Sequence, residues 1–194
     1  ILASVFGVSL ISLIGIFILS LSDERLRQIL IYLVSFSAGG LLGDAFFHLL
    51  PEAIGEKGFD LRISFYLLAG IITCFILEKF IHWRHCHIIA SKDHPHSFSF
   101  LILFSDSLHN FIDGLIIGAS YLVNISLGIT TTLAVIFHEI PQEIGDFASL
   151  LYGGFNKSRA LFFNFLSALT AVLGAISVLI FKSYFQNLIL FLIP

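Results

Sequence analysis

The chain has 194 residues, of which 57% are hydrophobic and only 12% are charged, and its formal net charge is −3. A soluble domain usually carries about 25% charged residues, so the composition excludes an ordinary soluble protein and indicates an integral, multi-pass membrane protein. The small net charge gives no reason to expect a nucleic-acid partner, and the two cysteines do not suggest a disulfide framework. We therefore expect the lipid bilayer as a partner: the cell membrane in a prokaryote, or a plasma or organelle membrane in a eukaryote.

The predicted fold is all-α, a polytopic transmembrane helix bundle that forms a single domain over residues 1–194. In hydrocarbon the backbone must satisfy its own hydrogen bonds, so apolar runs long enough to cross about 30 Å are read as helices. Six full spans and the start of a seventh near residue 185 are predicted. The full spans are 1–21, 29–50, 63–82, 98–123, 125–152 and 159–181. Because the chain lacks an initial Met and both ends lie in apolar segments, we expect a fragment of a longer protein.

The longest polar connection, residues 83–97, is rich in histidine and is predicted to lie in the cytoplasm. With the N-terminus outside, seven Lys or Arg residues fall on the inner side and three on the outer side, as the positive-inside rule requires. The segment can capture a metal transiently, although its spacing matches no closed zinc site. The alternative is a solvated loop with incidental histidines. Its polar side chains are His85, Cys86, His87, Asp93, His94 and His96.

The fourth and fifth spans carry acidic side chains with no basic residue to balance them. Between Lys92 and Lys157 there is no Lys or Arg at all. An acidic residue at a bilayer centre costs about 2.5–3.5 kcal/mol on the insertion scale, so a bound divalent cation is the direct way to neutralise such a group. The acidic residues are Asp106, Asp113, Glu139, Glu143 and Asp146.

The spacing of these residues is typical of metal ligands on helices. In the fourth span one helix face carries Asp106, His109 and Asp113, with Asn110 beside it. In the fifth span His138 and Gln142 form one stripe, and Glu139, Glu143 and Asp146 form another. Pro141 lies between them and is expected to bend the helix and free the carbonyl of Phe137. The alternative interpretation is that the polar groups hydrogen-bond neighbouring helices together.

A third pair of candidate ligands lies in the second span. Asp44 and His48 are four residues apart, so they share a helix face, and Pro51 and Glu52 follow. They are interpreted as an entrance site or as further ligands along a path. The alternative is a boundary helix whose polar end meets water.

Three motifs resemble those of the ZIP (Zrt/Irt-like) divalent metal transporters: G-D-A-x-x-H-L-L-P-E at 43–52, H-N-x-x-D-G at 109–114 and H-E-x-P-x-E-x-G-D-F at 138–147. The resemblance runs through nearly all the chain, including N-F-L-S-A-L-T-A at 164–171. It implies an eight-helix fold with both termini outside and uptake of zinc, iron or manganese into the cytoplasm. It also implies a main site of His109, Asp113, His138 and position 142, and a neighbouring site of Asn110, Asp113, Glu139 and position 142, with His48 nearby.

The chain departs from the family pattern at two positions. Position 142 is Gln142, where many relatives have His or Glu, and Ala171 stands where some relatives offer a carboxylate. Both changes weaken the neighbouring site, so a stable binuclear centre is not expected. The weakly ligating amide of Gln142 either lowers the affinity of the main site or only hydrogen-bonds a neighbour.

The sequence therefore predicts a transporter rather than an enzyme. Its cargo would be a divalent metal, Zn²⁺ first and Fe²⁺, Mn²⁺, Co²⁺ or Cd²⁺ as alternatives, with no prosthetic group, and a homodimer is a candidate assembly. A membrane-embedded metalloprotease is the main alternative, since His138 and Glu139 begin an H-E-x-x-H-like pattern. Gln142 replaces its second histidine, however, and Pro141 interrupts the helix that the motif needs. A proton-conducting or purely structural bundle is a third interpretation.

Overall fold

The computed structural model describes residues 1–19, 22–58, 60–82 and 97–182, which are almost entirely helical and contain no strand. The all-α class is therefore confirmed. The histidine-rich segment 83–96 and the start of the seventh span near residue 185 lie outside the described residues. In chain order the helices are α1 (Leu2–Ser9), a 3₁₀ stretch (Leu10–Gly15), α2 (Ile16–Leu19), α3 (Asp23–Asp44), a π-helical stretch (Ala45–Leu49), α4 (Leu50–Lys57), α5 (Leu61–His82), α6 (Ser97–Val123), α7 (Ile125–Tyr152), α8 (Lys157–Ala168) and α9 (Thr170–Ile180).

Three of the described helical segments are long and apolar enough to cross a membrane: Glu24–Phe47, Phe98–Val123 and Lys157–Ile180. The last of these joins α8 and α9. Helix α7 has 28 residues, which at 1.5 Å per residue gives about 42 Å of length, but its polar residues make it less apolar. Large apolar side chains such as Phe17 and Phe137 remain exposed on the outside of the bundle, as expected of surfaces that face lipid.

Local capping fixes where the central helices begin and end. Asn124, the one residue between α6 and α7, accepts a hydrogen bond from the backbone N–H of Leu127 and so caps α7. Helix α7 ends at Tyr152, and the chain turns at Gly154, whose positive φ of 97° suits glycine. Asn156 then caps α8. The single-residue connection makes α6 and α7 an antiparallel pair, which brings the middle of α6 beside the middle of α7.

Glycines allow α6 to lie directly against α9. A Cβ atom on Gly114 would collide with the backbone carbonyl of Ala171, and one on Gly174 would collide with the carbonyl of Phe111. Such close backbone approach is typical of membrane helix pairs with small residues at the interface. Gly114 is the last residue of the 109–114 motif, so this motif glycine sets the position of α6.

Helix α7 packs against α3 through a second set of small residues. Gly145 lies against the hydroxyl of Ser37, and Gly40 faces the ring of Pro141. Helix α7 continues through Pro141 without a break. Since proline has no N–H, the carbonyl of Phe137 loses its usual helical partner, while the expected bend stays a prediction. The site-bearing helix is therefore held between α3 on one side and α6 on the other.

Candidate metal site

Four potential metal ligands from α6 and α7 converge in the middle of the helix pair. They are His109 and Asp113 on α6 and His138 and Glu139 on α7, and one ligand atom from each lies within 4.8 Å of all the others. One helical turn separates His109 from Asp113, so both point the same way. His138 and Glu139 are consecutive, and their side chains reach the same space from two neighbouring faces of α7.

The separations between these ligand atoms fit a tetrahedral metal. Nε2 of His138 lies 3.0 Å from Oδ2 of Asp113 and 3.4 Å from Nε2 of His109. Nε2 of His109 lies 3.6 Å from the same Asp113 oxygen. The Oε1 atom of Glu139 is 3.5 Å from Nε2 of His109 and 3.8 Å from Nε2 of His138. A tetrahedron with metal–ligand bonds of about 2.1 Å, the length usual for zinc, has edges of about 3.4 Å. A zinc ion at the centre would therefore need only small adjustments.

The hydrogen-bonding state of the cluster also favours a cation. Asp113 and Glu139 are 5% and 1% exposed, and Oε1 of Glu139 is buried without a hydrogen-bond donor. A buried carboxylate oxygen without a donor is costly. A metal ion supplies the positive charge that the surrounding side chains lack.

Beside the cluster, a second polar group is built around Asp106. Its Oδ1 atom accepts hydrogen bonds from Nδ2 of Asn110 at 2.8 Å and from Nε2 of Gln142 at 3.1 Å. The amide nitrogen of Gln142 therefore bonds a neighbour, which was one of the two roles expected for it. Although the sequence places Asp106 on the same face as His109 and Asp113, Asp106 is not one of the four converging ligands.

Glu143 is turned away from the cluster and towards α8. Its carboxylate accepts a hydrogen bond from Nδ2 of Asn164, and both side chains are buried. Asn164 is not among the site residues predicted from the sequence, although the 164–171 segment is part of the resemblance. The sequence signal for Asn164 was an amide side chain within the predicted sixth span, 159–181. Glu143 thus ties α7 to α8 in this structure.

Two further candidate ligands, Asp44 and His48, lie where α3 meets the π-helical stretch. The backbone of Asp44 ends α3 and that of His48 lies in the π-helical stretch, but their side chains lie outside the described residues. The four histidines of segment 83–96 lie outside them as well. Their roles stay predictions.

The two sides of the four-residue cluster differ in polarity. Towards the C-terminal end of α6, Ile117 and Val135 belong to a buried apolar group completed by side chains of α1 and α9, namely Val5, Val8, Ala171 and Ala175. Towards the N-terminal end of α6 lies a cavity of about 220 Å³ lined by Ser105, Asp106, His109, Gln142 and Asp146 together with Leu41 and Ile102. The side chain of His109 remains 40% exposed. In this conformation the cluster is covered on the first side and reached through polar groups on the second.

A helical bundle with membrane-length apolar helices and a buried cluster of histidines and carboxylates defines a class: integral membrane proteins that handle divalent metals. The family assignment is narrower. A family model described as ZIP zinc transporter matches residues 1–99 and 87–187, so the chain belongs to the ZIP zinc transporter family. This family consists of transporters rather than enzymes, and its members are integral membrane proteins.

Individual relatives agree with the family assignment. The chain is 39% identical to the zinc transporter ZIP13 of Pongo abelii over an alignment 157 residues long, gaps included, which covers 74% of this chain and 46% of the relative. It is 30% identical to the zinc transporter zipt-7.1 of Caenorhabditis briggsae over an alignment 231 residues long, gaps included. This alignment covers 90% of this chain and 59% of the relative. Human ZIP13 is 32% identical over an alignment 194 residues long, gaps included, which covers 78% of this chain and 51% of the relative. The chain thus spans about half the length of the curated relatives it matches. No solved structure matches it significantly.

Proposed function

We propose that this chain forms the central part of a transporter that carries divalent transition-metal ions, zinc foremost, across the membrane. The observation that carries the proposal is the cluster of His109, Asp113, His138 and Glu139, whose ligand atoms have the spacing of a tetrahedral metal site. Its position on two antiparallel helices that cross the membrane suits a transported ion rather than a surface-bound one. Membership in a transporter family supports the same conclusion.

Charge balance explains why such a site suits a divalent ion. Asp113 and Glu139 together carry two negative charges when deprotonated, and two neutral imidazoles complete the set. A bound Zn²⁺ therefore gives a complex with no net charge. Since an isolated charge in a low-dielectric interior is strongly disfavoured, a neutral complex is the form that the middle of the membrane tolerates best. A monovalent ion would leave one negative charge uncompensated.

Mixed nitrogen and oxygen ligands make zinc the first candidate without excluding related metals. Imidazole suits zinc, iron and copper, whereas carboxylate also suits manganese. Fe²⁺, Mn²⁺, Co²⁺ and Cd²⁺ are the competing cargoes. Asn110 and Gln142 stand beside the cluster as supporting groups, and Asp106 fixes both of their amides.

The wider architecture follows from the same proposal. The chain would form one transmembrane domain with six full spans and part of a seventh, within an eight-helix protein. Transport would run towards the cytoplasm. The Lys and Arg distribution predicts that segment 83–97 lies on that side, where its histidines would form a low-affinity metal sink. Asp44 and His48 would add ligands along the path, and Glu143 would position α7. A homodimer is the assembly to examine first.

The direct test is zinc uptake by the intact protein in proteoliposomes that contain a zinc-sensitive dye. External zinc should enter, and Fe²⁺, Mn²⁺, Co²⁺ and Cd²⁺ should be tested as competitors. His138→Ala should abolish uptake. Thr130→Ala is the matched control on the same helix, since this exposed hydroxyl only bonds the carbonyl of Ser126. Normal zinc uptake by correctly inserted His138→Ala would refute the assignment.

A further inference from the structure

Asn164 and Glu143 form a buried polar pair outside the four-residue cluster. Asn164 lies on α8 and Glu143 on α7, and the two residues are 0% and 1% exposed. Nδ2 of Asn164 donates a hydrogen bond to Oε2 of Glu143 at 2.5 Å and lies 3.4 Å from the backbone carbonyl oxygen of Glu143. The pair therefore joins the two helices in the interior of the bundle.

The pair is a costly way to hold two helices together. Both partners are removed from water, and Oδ1 of Asn164 is buried without a hydrogen-bond donor. A buried polar atom without a partner costs about 1–3 kcal/mol, whereas two apolar side chains of the same shape would leave no polar atom unpaired. Stability alone therefore does not account for an amide at position 164, and a role in placing α7 does.

Helix α7 needs an external support near its metal ligands. Pro141 lies inside α7 and has no N–H, so the stretch that contains Glu139 and Glu143 lacks one helical hydrogen bond. No donor holds Oε1 of Glu139, so the backbone of α7 sets the place of this ligand atom. Glu143 follows Glu139 by one helical turn on the same face. A group that fixes Glu143 therefore also fixes the rotation of α7 about its axis.

Helix α8 can give this support because it is joined to α6 through α9. Thr170, the first residue of α9, donates a hydrogen bond to the backbone carbonyl of Ser107 on α6 at 2.6 Å. At the end of α8, the carbonyl of Ala168 accepts a hydrogen bond from Oγ of Ser9 in α1 at 2.8 Å. A single residue separates α8 from α9. Asn164 therefore lies on a part of the bundle that is fixed to α6 and α1.

We propose that Asn164 is a positioning residue for the metal cluster and acts through Glu143. The cluster takes two ligands from α6 and two from α7, so its geometry depends on how these two helices are set against each other. The bond from Asn164 to Glu143 completes a connection from α6 through α9 and α8 to α7. The proposal rests on the transport function proposed above and adds to it the residue that sets the rotation of α7.

The first test is zinc binding to the intact protein in detergent, measured by isothermal titration with Asn164→Ala. Zinc affinity should fall by about tenfold, the lower end of what residues behind the metal ligands cost a site. Asn156→Ala is the matched control, because it is the same change on the same helix. Asn156 caps α8 by accepting a hydrogen bond from the N–H of Arg159. Its loss should lower the melting temperature and leave zinc affinity unchanged.

The second test exchanges the two groups. Glu143→Gln combined with Asn164→Asp moves the amide to α7 and the carboxylate to α8, with the same shapes and the same total charge. The pair can then form its hydrogen bond in the opposite direction. Zinc affinity should lie within about threefold of the wild-type value, against the loss of about tenfold in Asn164→Ala. Asn164→Asp alone sets two carboxylates against each other and should lose at least as much as Asn164→Ala. Both variants preserve the buried shape, so this comparison does not require Asn164→Ala to fold.

Three results would overturn the proposal: zinc affinity of Asn164→Ala equal to that of the wild type, an equal loss of affinity in Asn156→Ala, or no recovery in the exchanged pair. The transport proposal is judged separately by zinc uptake in His138→Ala. Normal zinc affinity in Asn164→Ala would leave the metal cluster standing. Normal uptake in His138→Ala would instead remove the transport function on which the role of Asn164 depends.

Discussion

Replacing Asp113 by Asn removes one of the two negative charges of the four-residue cluster while preserving the shape of the side chain. In the structure Oδ2 of Asp113 lies 3.0 Å from Nε2 of His138, and Asp113 is 5% exposed. With asparagine, bound Zn²⁺ would keep one uncompensated positive charge in a buried place. A hydrogen bond or ligand contact that involves a charged group contributes about 1.5–3 kcal/mol net. Zinc affinity should therefore fall by about 10- to 150-fold, since about 1.4 kcal/mol corresponds to a factor of ten.

Isothermal titration of purified protein measures this loss, and uptake into proteoliposomes at zinc concentrations below saturation should fall at least as much. Asp60→Asn serves as the matched control, because it is the same chemical change at an exposed residue at the start of α5. Membrane insertion and thermal stability are compared first, so that a folding defect is not mistaken for a lost ligand. Affinity and uptake within about twofold of the wild-type values would refute the assignment of Asp113 as a ligand, because the expected change is at least about tenfold.

Four further outcomes are expected. Gly114→Ala should lower the free energy of unfolding by about 1–3 kcal/mol, because the added Cβ would collide with α9. Gly39→Ala is the control and should not lower it, since there is open space around Gly39. Equal melting temperatures for the two variants would contradict the packing of α6 against α9. Gln142→His should tighten zinc binding and slow uptake, because it adds an imidazole beside the cluster; equal or weaker affinity in titration would mean that residue 142 does not face the metal. Changing the four histidines of segment 83–97 to serine should leave uptake measurable but alter its response to metal load, and complete loss would place the segment in the pathway. Zinc affinity should fall from about pH 7.5 to about pH 5.5, because protons compete with the metal for imidazole and carboxylate. His138→Ala should make the decline shallower, and a flat wild-type profile would exclude histidine ligands.

The sequence alone determined the class of fold and the ligands that share a helix. Apolar runs of membrane length can only be helices in hydrocarbon, and the observed α6 and α7 agree closely with the predicted spans 98–123 and 125–152. Helical periodicity likewise placed His109 and Asp113 on one face, where the structure has them 3.6 Å apart. These relations are local, because the 3.6-residue turn fixes them without reference to any other part of the chain.

Only the tertiary structure decided which residues meet across helices. Within α6, periodicity treats Asp106 and Asp113 as equivalent partners of His109, yet Asp113 meets His138 while Asp106 is bound by Gln142. Within α7, Glu139 joins the cluster, whereas Glu143 in the same stripe bonds Asn164 on α8. Such choices depend on the rotation and axial offset of each helix against its neighbours. Here these are set by close contacts at glycines, which place α6 against α9 and α7 against α3. The sequence contains those glycines, but which surfaces they bring together depends on all the helices packing at once.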